Sequence, residues 1–146
     1  MSDFLTEMTG QGAVPMLEKT LAFNEARQKM LATNIANLTT PGYKARQLDV
    51  AGFQKALREA SNRRAERGEP FRLGRFREFE VDASGRLRVM PSEVPEENAR
   101  FHDGTNASIE RQMSQLAETA MTHQVATELL KGYFDRLSHA IRGRAI

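Results

Sequence analysis

The stretch from Leu31 to Leu48, LATNIANLTTPGYKARQL, decides how this chain is organised. Leu31 and Ile35 continue a helical apolar stripe that stops abruptly at Thr39-Thr40-Pro41-Gly42-Tyr43-Lys44. Asn34 and Asn37 carry amides three residues apart, on neighbouring turns of one helical face. Pro41 cannot donate a backbone hydrogen bond and pushes Thr40 out of the helical region. Gly42 supplies a position free to take positive φ, as a type II turn requires. Taken on their residues alone, these positions read as a helix C-terminus followed by a turn.

Upstream, Pro15 suits the first turn of a helix. From Val14 the residues Leu17, Leu21, Asn24, Gln28, Leu31 and Ile35 recur in steps of three and four. That is a coiled-coil type of seam, interrupted by the polar Asn24 and Gln28. Met16, Phe23 and Met30 form a second line every seven residues on an adjacent face. The two lines imply either contact with more than one neighbour or a single wide core face. The spacing predicts an N-terminal helix over 14–38, preceded by a tail over 1–13 that stays loose until it finds a partner.

Downstream, Asp49 to Ala60 reads as a short helix with Val50, Phe53 and Leu57 on one side. Asn62 to Pro70 is charged and breaks that pattern. Arg77–Val81 and Arg86–Met90 flank Asp82-Ala83-Ser84-Gly85, which reads as a hairpin around a glycine-containing turn. Pro91 to Gly104 is acidic and reads as extended loop. The strongest periodicity lies in the last third. Ile109, Met113, Leu116, Ala120, His123, Thr127, Leu130, Phe134, Leu137 and Ile141 alternate by four and three, with Val125, Leu129 and Tyr133 widening the stripe. Asn106 or Ser108 can cap this helix, and Glu110 sits in its first turn, where the dipole favours an anion.

The expected architecture is mainly α. Long helices at the two ends pair as an antiparallel coiled coil, around a turn and variable insert at 39–107 that holds a short helix and a possible β-hairpin. Leu17, Leu21 and Leu31, with Ile35, are expected to face Met113, Leu116, Leu130, Phe134 and Leu137 of a C-terminal helix over 108–143. All 146 residues are expected to form one domain.

Composition narrows the chemistry. The mean hydropathy is −0.55, and no run approaches the ~18 apolar residues of a membrane-spanning helix. Met1 to Gly10 carries Asp3 and Glu7 without a basic start and apolar block, which argues against a secretory signal peptide. Cysteine is absent, so no disulfide framework is available. None of the 3 histidines stands three or four residues from another, and no zinc site is expected. His102-Asp103-Gly104 reads as a cap or turn, and Gly10-Gln11-Gly12 lacks the lysine of a phosphate loop. No catalytic residue, metal or cofactor is expected. Arg63, Arg64, Arg67, Arg72, Arg75 and Arg77 make a basic stretch with Phe71 and Phe76 between them. Glu66, Glu69, Glu78 and Glu80 interleave with these arginines. A subunit contact explains the stretch better than nucleic acid does.

Asn34-Ile35-Ala36-Asn37, two residues, then Thr40-Pro41-Gly42-Tyr43-Lys44 resembles the N-terminal signature of the bacterial flagellar rod and hook proteins. With Pro41 and the following Lys44-Ala45-Arg46 it looks most like the proximal rod members. Asp103-Gly104-Thr105-Asn106 and Ile109-Glu110-Arg111-Gln112-Met113, continuing to Leu129-Leu130, Phe134 and Ile141, is similar to their C-terminal helix. His123-Gln124 stands where that family has an aromatic-Gln pair.

The resemblance implies a non-enzymatic structural subunit of the basal body, in the proximal periplasmic rod that transmits torque. Export would proceed without a cleaved signal. The implied partners are like subunits, a FlgC-like rod protein, a FliE-like junction protein, a FliF-like ring protein and the flagellar export gate. Asn34 to Lys44 would then be an assembly contact. Another axial rod subunit is the nearer alternative, and a helical nucleic-acid-binding regulator the farther one.

Overall fold

The computed structural model describes residues 13–95 and 106–143. The expectations for the tail over 1–12 and for the loop over 96–105 lie outside the described residues. In chain order the elements are α1 (Ala13–Ala36), β1 (Arg46–Gln47), α2 (Val50–Arg67), β2 (Phe79–Val81), β3 (Leu87–Val89), β4 (Ser92–Glu93) and α3 (Asn106–Gly143).

The terminal helices α1 and α3 pack along each other. Met30, Leu31 and Asn34, near the end of α1, lie beside Arg111, Gln112 and Gln115, near the start of α3. The pair is therefore antiparallel. With 24 residues in α1 and 38 in α3, a rise of 1.5 Å per residue makes α3 longer by about 20 Å.

Both lines of α1 are used, and Phe23 of the second line reaches the insert. Along the seam, Val14, Asn24 and Leu31 are buried and Leu17, Leu21, Gln28 and Ile35 are half-buried. On the adjacent line, Phe23 and Met30 are buried. Phe23 enters the core of the insert. Its ring stacks on Phe53 of α2 with centroids 3.9 Å apart, and both meet Phe79 of β2 edge-on, at 6.3 and 5.4 Å. Ala56 completes this cluster, and Leu48, Val50, Leu57, Leu73, Leu87 and Val89 surround it. Stacked and edge-to-face rings add to plain area burial, which makes this trio the anchor of the insert.

The insert differs from the sequence expectation at two places. First, α2 continues through the charged stretch to Arg67 instead of ending near Ala60. Arginine, glutamate and alanine are good helix formers, and charge on a solvated face does not stop a helix. Its ends are set chemically. The Asp49 side chain accepts from the Gly52 N–H at 2.8 Å. At the other end Gly68 takes φ +67° and donates its N–H to the Arg64 carbonyl. Second, Ser92-Glu93 is a strand where loop was expected. It pairs antiparallel with β1, Arg46 opposite Glu93 and Gln47 opposite Ser92. A two-residue strand has no period to detect.

The hairpin forms as expected, with Phe79 opposite Val89 and Val81 opposite Leu87. Its turn is held by Asp82, whose Oδ1 accepts from the Ser84 N–H, the Ser84 hydroxyl and the Arg86 N–H. Gly85 supplies the positive φ. Lys19 of α1 donates to the Gly85 carbonyl and ties the turn back to the helix.

The C-terminal seam is rotated from its expected line. Leu116, His123, Leu130 and Leu137 are half-buried as expected. The alternate positions are Gln112, Thr119 and Ala126, which are buried, and Tyr133, which is half-buried. Met113 is 56% exposed, Phe134 48% and Ile141 59%. Ala120 and Thr127 are exposed as well. The reason lies in the heptad. Steps of three-four and four-three share every seventh residue, so periodicity alone leaves the second line of the seam open. At the start of α3, Gln112 of the polar line and Gln115 border a hollow together with Arg46, Gln47 and Val94 of the insert.

Candidate functional site

The Asn34–Lys44 segment sits where α1 ends, β1 begins and α3 starts. The last turn of α1 tightens instead of fraying. The Asn37 N–H reaches both the Thr33 and Asn34 carbonyls at 3.2 Å, and the Thr40 N–H reaches the Asn37 carbonyl at 3.0 Å. Orphan carbonyls at a helix end are satisfied this way. Thr40-Pro41-Gly42-Tyr43 then closes on itself, Tyr43 N–H to Thr40 carbonyl at 3.2 Å. Gly42 at φ +74° takes the position that a type II turn gives to glycine.

Asn34 does most to orient the segment. It is 4% exposed. Its Nδ2 donates to the Arg46 carbonyl at 2.7 Å, and its Oδ1 accepts from the Arg46 N–H at 3.0 Å and the Tyr43 hydroxyl at 2.9 Å. One amide thus pairs with the backbone of β1 as a neighbouring strand would, and also fixes the tyrosine. The Asn34 side chain is turned inward and fully engaged within the subunit. Asn37 is half-buried; its Nδ2 donates to the Thr33 carbonyl and its Oδ1 accepts from the Thr40 hydroxyl. Ala36, Thr40, Pro41, Gly42 and Lys44 face solvent, and Ile35 is half-buried. Lys44 lies 3.5 Å from Glu93, with both side chains mostly exposed, so this pair adds about 0–1 kcal/mol.

Beneath the turn is a hollow of about 480 Å³ lined by Asn37, Leu38, Lys44, Arg77, Glu93 and Gln112. Among the described residues no group of histidine, cysteine and carboxylate side chains is placed to hold a metal ion. No described helix is long and apolar enough to cross a membrane.

Glu78 was not singled out by its sequence. It is 9% exposed, and its carboxylate accepts from the Asp49 N–H and the Ser92 hydroxyl. Its carbonyl accepts from Met90 N–H at 2.7 Å. This residue joins the start of α2, the hairpin and β4. Nothing in the alternating arginines and glutamates of 75–80 marks it out. The arginines around it face solvent: Arg75 and Arg88 pair with the half-buried Glu80, and Arg67 with Glu69. Arg63 donates to the Arg72 carbonyl. The arginine-rich stretch is therefore partly occupied with its own acids and backbone.

The pattern of the family described as flagella basal body rod protein matches residues 17–44, which span most of α1 and the turn after it. Over nearly the whole chain, the sequence is similar to flagellar basal body rod proteins FlgB. The Bacillus subtilis protein is 26% identical over 136 residues, covering 90% of this chain and 95% of that protein. The Aquifex aeolicus protein is 28% identical, covering 90% and 94%. The Salmonella typhimurium protein is 26% identical, again covering 90% and 94%. No solved structure matches.

Proposed function

We propose that the chain belongs to the flagellar basal-body rod proteins, which it resembles along 90% of its length, and that as a structural subunit it builds the proximal, periplasmic part of the rod and transmits torque without catalysing a reaction. The observation that carries this reading is the surface of α3. Met113, Met121, Val125, Leu129, Phe134 and Ile141 are all exposed along one helix. They lie around most of its circumference, while α1 covers only one side. Large apolar side chains left in solvent on several faces of one helix mark a surface for contact with other chains. An enzyme needs a converging set of reactive groups, and this chain offers a long sticky surface.

The partners proposed are like subunits and other rod components, among them a FlgC-like neighbour, a FliE-like junction protein and a FliF-like ring, reached through the flagellar export gate. The turn at Asn37–Lys44 is proposed as one contact. Asn34 and Tyr43 hold its shape from inside, and Thr40, Pro41 and Lys44 present its outer surface.

The test is complementation of a strain lacking this gene. Val125→Asp and Leu129→Asp change side chains that face solvent, so the purified variants should unfold like the wild type. Both, together with Asn37→Ala, should leave the chain expressed but the rods incomplete and the cells non-motile. Normal motility with all three variants would remove the basis for this assignment of surfaces.

A further inference from the structure

Among the described residues, the buried polar atoms Asn24 Nδ2, Ser108 Oγ, Gln112 Oε1, His123 Nδ1 and Tyr133 Oη have no partner. All five lie on α1 or α3. Meanwhile Met113, Ala120, Thr127 and Phe134, one residue further along α3 at every heptad, face solvent. The helix therefore carries two adjacent seams that share Leu116, His123, Leu130 and Leu137. One is completed by Gln112, Thr119, Ala126 and Tyr133. The other is completed by Met113, Ala120, Thr127 and Phe134, and it is the more apolar.

We propose that α3 turns about its own axis between these two seams against α1, hiding its apolar line in one arrangement and displaying it in the other. Moving from one seam to the next turns the helix by half the angle between the two lines, one seventh of a turn or roughly 50°. The shared residues stay at the interface throughout. In the arrangement described here the line Met113–Phe134 is available to a neighbour. In the turned arrangement it lies on α1, while Ser108, Gln112 and Tyr133 reach water and their unpartnered atoms find hydrogen bonds. Seams of packed side chains switch between discrete arrangements instead of deforming smoothly. The two differ in opposite ways, since one exposes apolar area and the other removes polar groups from water. Neither penalty is shared, which keeps both arrangements accessible. The device would let a free subunit cover its adhesive line until a neighbour competes for it.

The chain lacks cysteine, so two labels can be placed uniquely. Ala32 and Ala117 are both exposed, on α1 and α3, and Ala117 belongs to neither seam. Spin labels on Ala32→Cys and Ala117→Cys of the full, dilute chain report the distance between the helices. A turn of that size at a helix radius of 5–6 Å displaces a side chain by about 5 Å. Two distance populations are expected, and Met113→Ser with Phe134→Ser should deplete the turned one, because those residues complete only that seam. A single population overturns the proposal. Two populations that ignore the Met113→Ser and Phe134→Ser changes overturn it equally. Hydrogen exchange on the same sample checks that α3 stays helical, since loss of its amide protection would mean that the helix detaches instead of turning.

Discussion

Replacing Asn34 by alanine tests the inward role of the opening motif. The substitution removes three hydrogen bonds, to the Arg46 carbonyl at 2.7 Å, from the Arg46 N–H at 3.0 Å and from the Tyr43 hydroxyl at 2.9 Å. At a net value near 1 kcal/mol each, the ceiling is about 3 kcal/mol. Arg46 is exposed, so its freed backbone groups recover water and the cost falls toward the lower part of roughly 1–3 kcal/mol. Tyr43→Phe removes one of the three and should cost about 1 kcal/mol. The double variant should cost less than the sum by a similar amount, because both singles break the same contact. Asn34→Asp is the sharper chemical probe. It keeps both acceptor contacts but turns the donor into an anion facing the Arg46 carbonyl. Urea unfolding followed by far-UV circular dichroism reads all four variants. A cost below about 0.5 kcal/mol for Asn34→Ala, within the usual range of a surface substitution, would refute the clamp. Strict additivity with Tyr43→Phe would refute the shared contact.

Three further outcomes follow from the same coordinates. Phe23→Ala removes the ring that stacks on Phe53 and meets Phe79; it should cost about 3–5 kcal/mol in the same urea assay, and a loss under 1 kcal/mol would show that the trio does not anchor the insert. A Cβ added at Gly42 meets no atom within 4 Å, but in Gly42→Val φ +74° places a β-branched residue in the left-handed region, so stability should fall by about 1–2 kcal/mol with the fold kept; an unchanged midpoint would contradict the positive φ. The Asp82 carboxyl is held below its ordinary value of 3.8, first by the Ser84 hydroxyl and then by the Arg86 N–H. A carboxylate lowered in the folded state stabilises it above the unfolded pKa and loses that effect as pH falls through the folded one. Its NMR titration midpoint should therefore lie below 3.8, and a midpoint above it would mean that the turn does not close on Asp82.

The periodic parts of this fold were readable because heptads and turn chemistry are local. α1, α3 and the Asp82–Gly85 hairpin follow from spacing and from one glycine. Phe23 was visible as part of a second line, yet its partners Phe53 and Phe79 were separate residues until the chain brought them together. The direction of Asn34 was not readable. An asparagine at a helix end looks the same whether it faces a neighbour or its own chain, and only the return of Arg46 decides. The same holds for Glu78, one acid among several until Asp49 and Ser92 arrive from either side. The rotated seam on α3 is a different kind of case. There the sequence contains two solutions to one period, and the structure takes the more polar of them.

The central claim, that this chain is a structural subunit of the basal-body rod, is tested most directly by a cryo-electron microscopy map of basal bodies purified from the organism that encodes it. The account predicts that the chain can be traced in the rod, with Val125 and Leu129 of α3 buried against neighbouring subunits. A complete rod in which every subunit is traced and this chain is absent would contradict it.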